Sequence, residues 1–177
     1  ISSPVVDDGD FVYVGGSIPP AFHKIDGNTG GTVWTYSPLP AGVSSVCNAT
    51  AAALSHDGKT VYFGRGYDRS PGPADGLYAI STEDGLLKWR FAPPPGERYA
   101  FTWCSPAIGA DGTIYQQDVV SAKLYAFRDA GDHAELKWTY DPGSPGDAPR
   151  QPAVASDAVY IGCAGSKPAI HAVGLDG

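Results

Sequence analysis

The chain has 177 residues, a net charge of −7 and no run of Lys or Arg, which argues against nucleic acid or an anionic membrane surface as its main partner. No apolar stretch approaches the roughly 20 residues needed to cross a bilayer. The 23 Gly and 16 Pro residues punctuate strand-like patterns instead of forming tracts, which points to a turn-rich all-β domain.

The first unit sets a template. Pro4-Val5-Val6 reads as a short strand, and Asp7-Asp8-Gly9-Asp10 as a tight turn. Phe11 to Val14 forms a second strand, rich in the β-branched and aromatic types that suit a pleated surface. Ala21 to Ile25 gives a third strand, Asp26 to Gly30 a turn, and Thr32 to Tyr36 a fourth. Asp, Asn and Gly tolerate the positive φ that such turns require, so four meandering strands are expected.

The second unit repeats this with His56-Asp57-Gly58, Leu77 to Ile80, Glu83-Asp84-Gly85 and Leu87 to Phe91. The third does so with Asp111-Gly112, Leu124 to Phe127 and Leu136 to Tyr140. The fourth has Ser156-Asp157-Ala158 and Ile170 to Val173, without the Trp-bearing outer strand of the other three. One tyrosine per unit (Tyr13, Tyr62, Tyr115, Tyr160) recurs at intervals of about 50 residues, a period expected of propeller blades. The predicted blades are 1–43, 44–97, 98–147 and 148–177, in one domain. With the start at Ile1 and no Met, a processed product or a piece of a longer chain is expected.

Lys24-x-Asp26-x-x-Thr29-Gly30-x-x-x-Trp34 resembles the tryptophan-docking motif of quinoprotein-type (PQQ-like) β-propeller repeats. Ala79, Gly85 and Trp89 keep its offsets, while Ala126 and Trp138 are two residues further apart. The Ser3-Pro4 and Ser105-Pro106 openings are also similar to that family, with Gln151-Pro152 as a variant. The resemblance implies an all-β propeller that closes with six to eight blades. Independently of it, Trp34, Trp89 and Trp138 are of the size and shape to fill the gap between neighbouring sheets, each with an indole N–H to donate.

The resemblance also raises a quinone cofactor and Ca²⁺. Quinoprotein dehydrogenases of this kind carry adjacent cysteines beside the cofactor, and no Cys-Cys occurs here. The turn Asp7–Asp10 reads more simply as a hairpin than as a Ca²⁺ loop. His23, His56, His133 and His171 lack the spacing of a metal set. No catalytic residue, metal site or cofactor is therefore expected. Cys47, Cys104 and Cys163 leave either one disulfide with a spare thiol or three thiols.

Loops joining successive blades, and those joining second to third strands, share one propeller face, the usual place for ligand contacts. Tyr67, Asp68, Arg69, Arg98, Tyr99, Trp103 and Arg150 fall there, and aromatic and Arg side chains are enriched in recognition hot spots. Trp103 either contacts a partner or plugs the channel rim. Asn48-Ala49-Thr50 is an N-glycosylation sequon. The leading expectation is a non-enzymatic scaffold or binding domain outside the cytoplasm, extracellular or periplasmic, meeting other protein chains or copies of itself. The alternative is a fragment of a quinoprotein dehydrogenase oxidising alcohols or sugars, with its cofactor residues in other blades.

Overall fold

A computed structural model of the chain describes residues 3–17, 20–38, 51–66, 75–92, 94, 100–101, 103–143, 151–164 and 168–177. Among these residues every regular element is a strand. Sheet 1 comprises β1 (Val5–Val6), β2 (Phe11–Ser17), β3 (Pro20–Asp26) and β4 (Thr32–Tyr36). Sheet 2 comprises β5 (Ala53–Leu54), β6 (Thr60–Arg65), β7 (Gly76–Ser81) and β8 (Leu87–Phe91). Sheet 3 comprises β9 (Ala107–Ile108), β10 (Ile114–Gln117), β11 (Leu124–Asp129) and β12 (Ala134–Tyr140). Sheet 4 has three strands, β13 (Ala153–Val154), β14 (Ala158–Cys163) and β15 (Ala169–Gly174). Each sheet is an antiparallel meander in chain order, with Asp-Gly turns joining the first two strands of sheets 2 and 3. No described helix is long and apolar enough to cross a membrane.

The two-residue first strands gather together, with β9 beside both β5 and β13, so the sheets radiate from that side. Strand pleating then sends alternate residues to opposite neighbours. In sheet 2, Val61, Phe63, Tyr78 and Ile80 join Tyr13 and Phe22 of sheet 1 in one core. Tyr62, Leu77, Ala79 and Trp89 turn the other way and meet Ile114, Tyr125 and Phe127 of sheet 3. A third core joins Tyr115, Leu124 and Ala126 to Val159, Ile161 and Val173 of sheet 4. Sheets covered on both faces lose the polar alternation of a one-sided sheet, and β6 is buried along its whole length. Stacked rings reinforce the first core, with Phe22 and Phe63 centroids 4.3 Å apart. Val6 and Val33 of sheet 1 and Tyr160 and Ile170 of sheet 4 are exposed on the two terminal faces.

The chain is thus an all-β array of four antiparallel sheets. The first three sheets have the four strands expected of them. The hairpin joining β11 and β12 is longer than its counterparts, because two extra residues separate Ala126 from Trp138.

Candidate functional site

The three outer-strand tryptophans occupy equivalent places. Each pairs with the same position of the third strand, Lys24↔Trp34, Ala79↔Trp89 and Ala126↔Trp138, and each pair is followed by a bulge. Each ring reaches the following sheet. Trp34 Nε1 donates to the Thr82 carbonyl at 3.1 Å, and Trp138 Nε1 to the Leu175 carbonyl at 3.0 Å. Lys24, where other units have Ala, extends to the same Thr82 carbonyl at 2.9 Å and lies 4.1 Å from the Phe11 ring centre. Gly85, at φ +73°, lies beneath the Trp34 ring, where a Cβ would stand 2.7 Å from Cδ2.

Trp89 has a different acceptor. Its Nε1 donates to Asp129 Oδ1 at 2.7 Å, and Tyr62 donates to Asp129 Oδ2 at 2.8 Å. Burial would raise the Asp129 carboxyl. The hydrogen bonds from Trp89, Gly131 and Tyr62, with nearby Lys88, outweigh that and hold it below the usual carboxylate range. Burial, with the same bond, pushes the Tyr62 phenol well up. The sequence signal for Asp129 is an acid at the end of the third strand, combined with the two inserted residues.

The turns between first and second strands form one face, with grooves between the sheets. A groove of about 430 Å³ between sheets 2 and 3 is lined by His56, Asp57, Lys88, Asp111, Arg128 and others. Its polar groups hold one another. His56 Nε2 donates to the Gly109 carbonyl at 2.8 Å, Lys88 to Thr60 Oγ1 at 2.7 Å, and Arg128 pairs with Glu135. Hydrogen bonds from Thr113, with Lys137 nearby, bring Asp111 down to about 2. In the Asp7 turn, Oδ1 accepts from Gly9 and Phe11 backbone N–H and Oδ2 from Tyr13. That is a hairpin network. Among the described residues no three His, Cys, Asp or Glu side chains gather as a metal set.

The opposite, loop face carries Trp103. Tyr67, Asp68, Arg69, Arg98, Tyr99, Arg150, Asn48 and Cys47 lie outside the described residues. The neighbours of Trp103 are firmly held. Buried Asp118 accepts from the Ala100 backbone N–H at 2.8 Å, from Val120 N–H at 3.1 Å and from Ser121 Oγ at 2.5 Å. The Val119 N–H returns to the Ala100 carbonyl at 3.0 Å. Gly64 lets this segment approach, since a Cβ there would sit 2.2 Å from the Phe101 carbonyl oxygen. Beneath it, Gln116, Gln117 and Asp118 are fully buried, as are Arg65 and Asp75, which stand 4.0 Å apart. Sequence reasoning missed this polar layer, because Gln-Gln-Asp at a strand end reads as solvated. Trp103 itself is 46% exposed and adopts φ +62°. Cys104 and Cys163 are both buried, but Cys163 lies in β14 of sheet 4 and is a free thiol. They are no substitute for the adjacent pair of a quinone site.

Comparisons with known proteins fit this architecture. The family model described as outer membrane protein assembly factor BamB matches residues 1–133. Protein Rv3035 of Mycobacterium tuberculosis (strain ATCC 25618 / H37Rv) is 36% identical over 108 residues, 61% of this chain and 22% of that protein. BamB from Moraxella catarrhalis superposes with a TM-score of 0.62 at 16% identity, over 99% of this chain and 44% of its own. Quinohemoprotein alcohol dehydrogenase ADHIIG from Pseudomonas putida HK5 gives 0.66 at 16% identity, over 91% of this chain and 28% of its own. The chain therefore spans less than half the length of each. At those identities the two structures speak for the fold alone, a β-propeller. On the match over residues 1–133, the chain belongs to the PQQ-like propeller family described as outer membrane protein assembly factor BamB.

Proposed function

We propose that this chain is a non-enzymatic propeller scaffold that binds protein through its loop face, outside the cytoplasm. The observation that carries the reading is Trp103. A bulky residue in the left-handed region costs on the order of 1–3 kcal/mol, and such strain gathers at ligand contacts. Here the strained residue holds a large indole half in solvent. The segment beside it is pinned by Asp118. Trp is among the side chains most enriched in recognition hot spots. The description of its family supports an assembly role, and a periplasmic or extracellular location agrees with that description.

The second reading, a piece of a quinoprotein dehydrogenase, draws on the likeness to the alcohol dehydrogenase. The residues present do not fit the quinone. No two cysteines are adjacent, and the net charge of −7 disfavours a polyanionic ligand.

A photo-crosslinking residue placed at position 103 tests the scaffold reading in the native cell envelope. Discrete protein adducts are expected there, and none from the same probe at exposed Leu86 on the opposite turn face. Equal labelling at both positions, or none at 103, contradicts it.

A further inference from the structure

Trp103 stands between two anchors, and both come from one short stretch of sheet 3, residues 116–119. On one side Asp118 accepts from the Ala100 N–H, and the Val119 N–H donates to the Ala100 carbonyl. On the other side Gln116 Nε2 donates at 2.8 Å to the carbonyl of Cys104, the residue after Trp103, and at 3.0 Å to the carbonyl of Gln117. Both partners are acceptors only, so the amide can face them only with its NH₂ group. Gln116 is fully buried and its Oε1 has no partner among the described residues, so the side chain is oriented by those two donated bonds.

The adjacent glutamine points elsewhere. Successive side chains of a strand take opposite faces, and residues directly across a ladder share one. Gln116 lies opposite Tyr125, which meets sheet 2, whereas Gln117 lies opposite Leu124, which meets sheet 4. Gln117 Nε2 accordingly reaches the Gly162 carbonyl of sheet 4 at 3.2 Å and approaches Cys163 Sγ at 3.9 Å. Gln117 ties sheet 3 to sheet 4, while Gln116 ties it to the segment that carries Trp103.

We propose that Gln116 is the positioning residue of the Trp103 contact. With Ala100 fixed on one side, its bond to Cys104 holds Trp103 at φ +62° with the indole 46% exposed. That conformation is unfavourable for a bulky residue and relaxes once an anchor is released. Held in place, the indole meets a protein partner with less ordering left to do, which raises affinity. The partner's share of this inference rests on the loop-face reading; the positioning of Trp103 does not.

Fluorotryptophan labelling gives one fluorine resonance for each of the four Trp residues, and Trp103→Phe assigns that of Trp103. Gln116→Met, similar in length but without a donor, is expected to move or broaden the Trp103 resonance and leave those of Trp34, Trp89 and Trp138 in place. Gln117→Met is expected to lower the urea midpoint with the Trp103 resonance unmoved. The proposal is overturned if Gln116→Met leaves that resonance unchanged, or if Gln117→Met moves it equally. Should Gln116→Met not fold, Gln116→Glu decides. A protonated carboxyl can donate to the Cys104 carbonyl, an ionised one cannot, and burial raises the carboxyl into an accessible range. The Trp103 resonance is then expected to be native-like at about pH 5 and displaced at about pH 8; a pH-independent resonance overturns the proposal. With a photo-crosslinking residue at position 103 in the native cell envelope, the Gln116 variant is expected to lower adduct yield about threefold or more. Equal yields overturn the proposal. No adducts with or without the variant would instead contradict the loop-face reading, and the fluorine spectra would still decide the positioning.

Discussion

Asp129 collects donors from two sheets on one carboxylate: Trp89 and Tyr62 from sheet 2, and the Gly131 N–H of its own hairpin. Where Trp34 and Trp138 use a main-chain carbonyl, Trp89 uses a group that titrates. Its folded-state value is lowered, so its stabilisation is present above the unfolded value near 4 and is lost as pH falls through the folded one. Asp129→Asn keeps an acceptor for the indole but leaves Tyr62 facing an amide N–H. We expect that variant to lose about 1–3 kcal/mol at pH 7 in urea titrations. Its midpoint should also lose part of the wild-type fall below pH 4. A variant with unchanged stability and an unchanged acid limb would show that Asp129 is not the anchor.

The strands were legible in the sequence because most of the first-to-second and third-to-fourth strand turns are Asp-Gly or Asn-x-Gly and the strands between carry β-branched and aromatic residues. Thr32–Tyr36 and Leu87–Phe91 coincide with their predicted limits. The hairpin of sheet 3 was less legible. Its two extra residues look like a departure from the motif, and only the fold shows that they bring a carboxylate to Trp89. The polar layer under Trp103 was not legible either. Its burial comes in part from a segment distant in sequence, with Gln117 Nε2 donating to the Gly162 carbonyl of sheet 4 at 3.2 Å.

The turns permit a paired test of the Trp34 contact. Gly58 and Gly85 both have positive φ, +68° and +73°, but only Gly85 faces a ring. Gly58→Ala should cost about 1–2 kcal/mol from backbone conformation alone. Gly85→Ala should cost about 1–3 kcal/mol more, from crowding the indole. Equal losses in urea would mean that Trp34 does not rest on Gly85 in solution.

At the scale of the whole molecule, three inter-sheet cores run in series, and each sheet is tied to the next by an indole hydrogen bond. The acidic groups crowd the turn face, where Asp7, Asp57 and Asp111 line the grooves. Those groups are engaged in turn networks, and two of the four sheets carry cover on both faces. The array is a frame that holds Trp103 on its loop face. The reading proposed for it is that of a frame that binds protein and carries no redox cofactor of its own. Calorimetry of the purified chain with pyrroloquinoline quinone at micromolar concentration, with and without Ca²⁺, tests that proposal most directly. No binding heat and no dye-linked dehydrogenase activity are expected. Stoichiometric binding of the quinone would contradict the account and put the dehydrogenase reading first, with Trp103 and Arg150 as the next residues to replace.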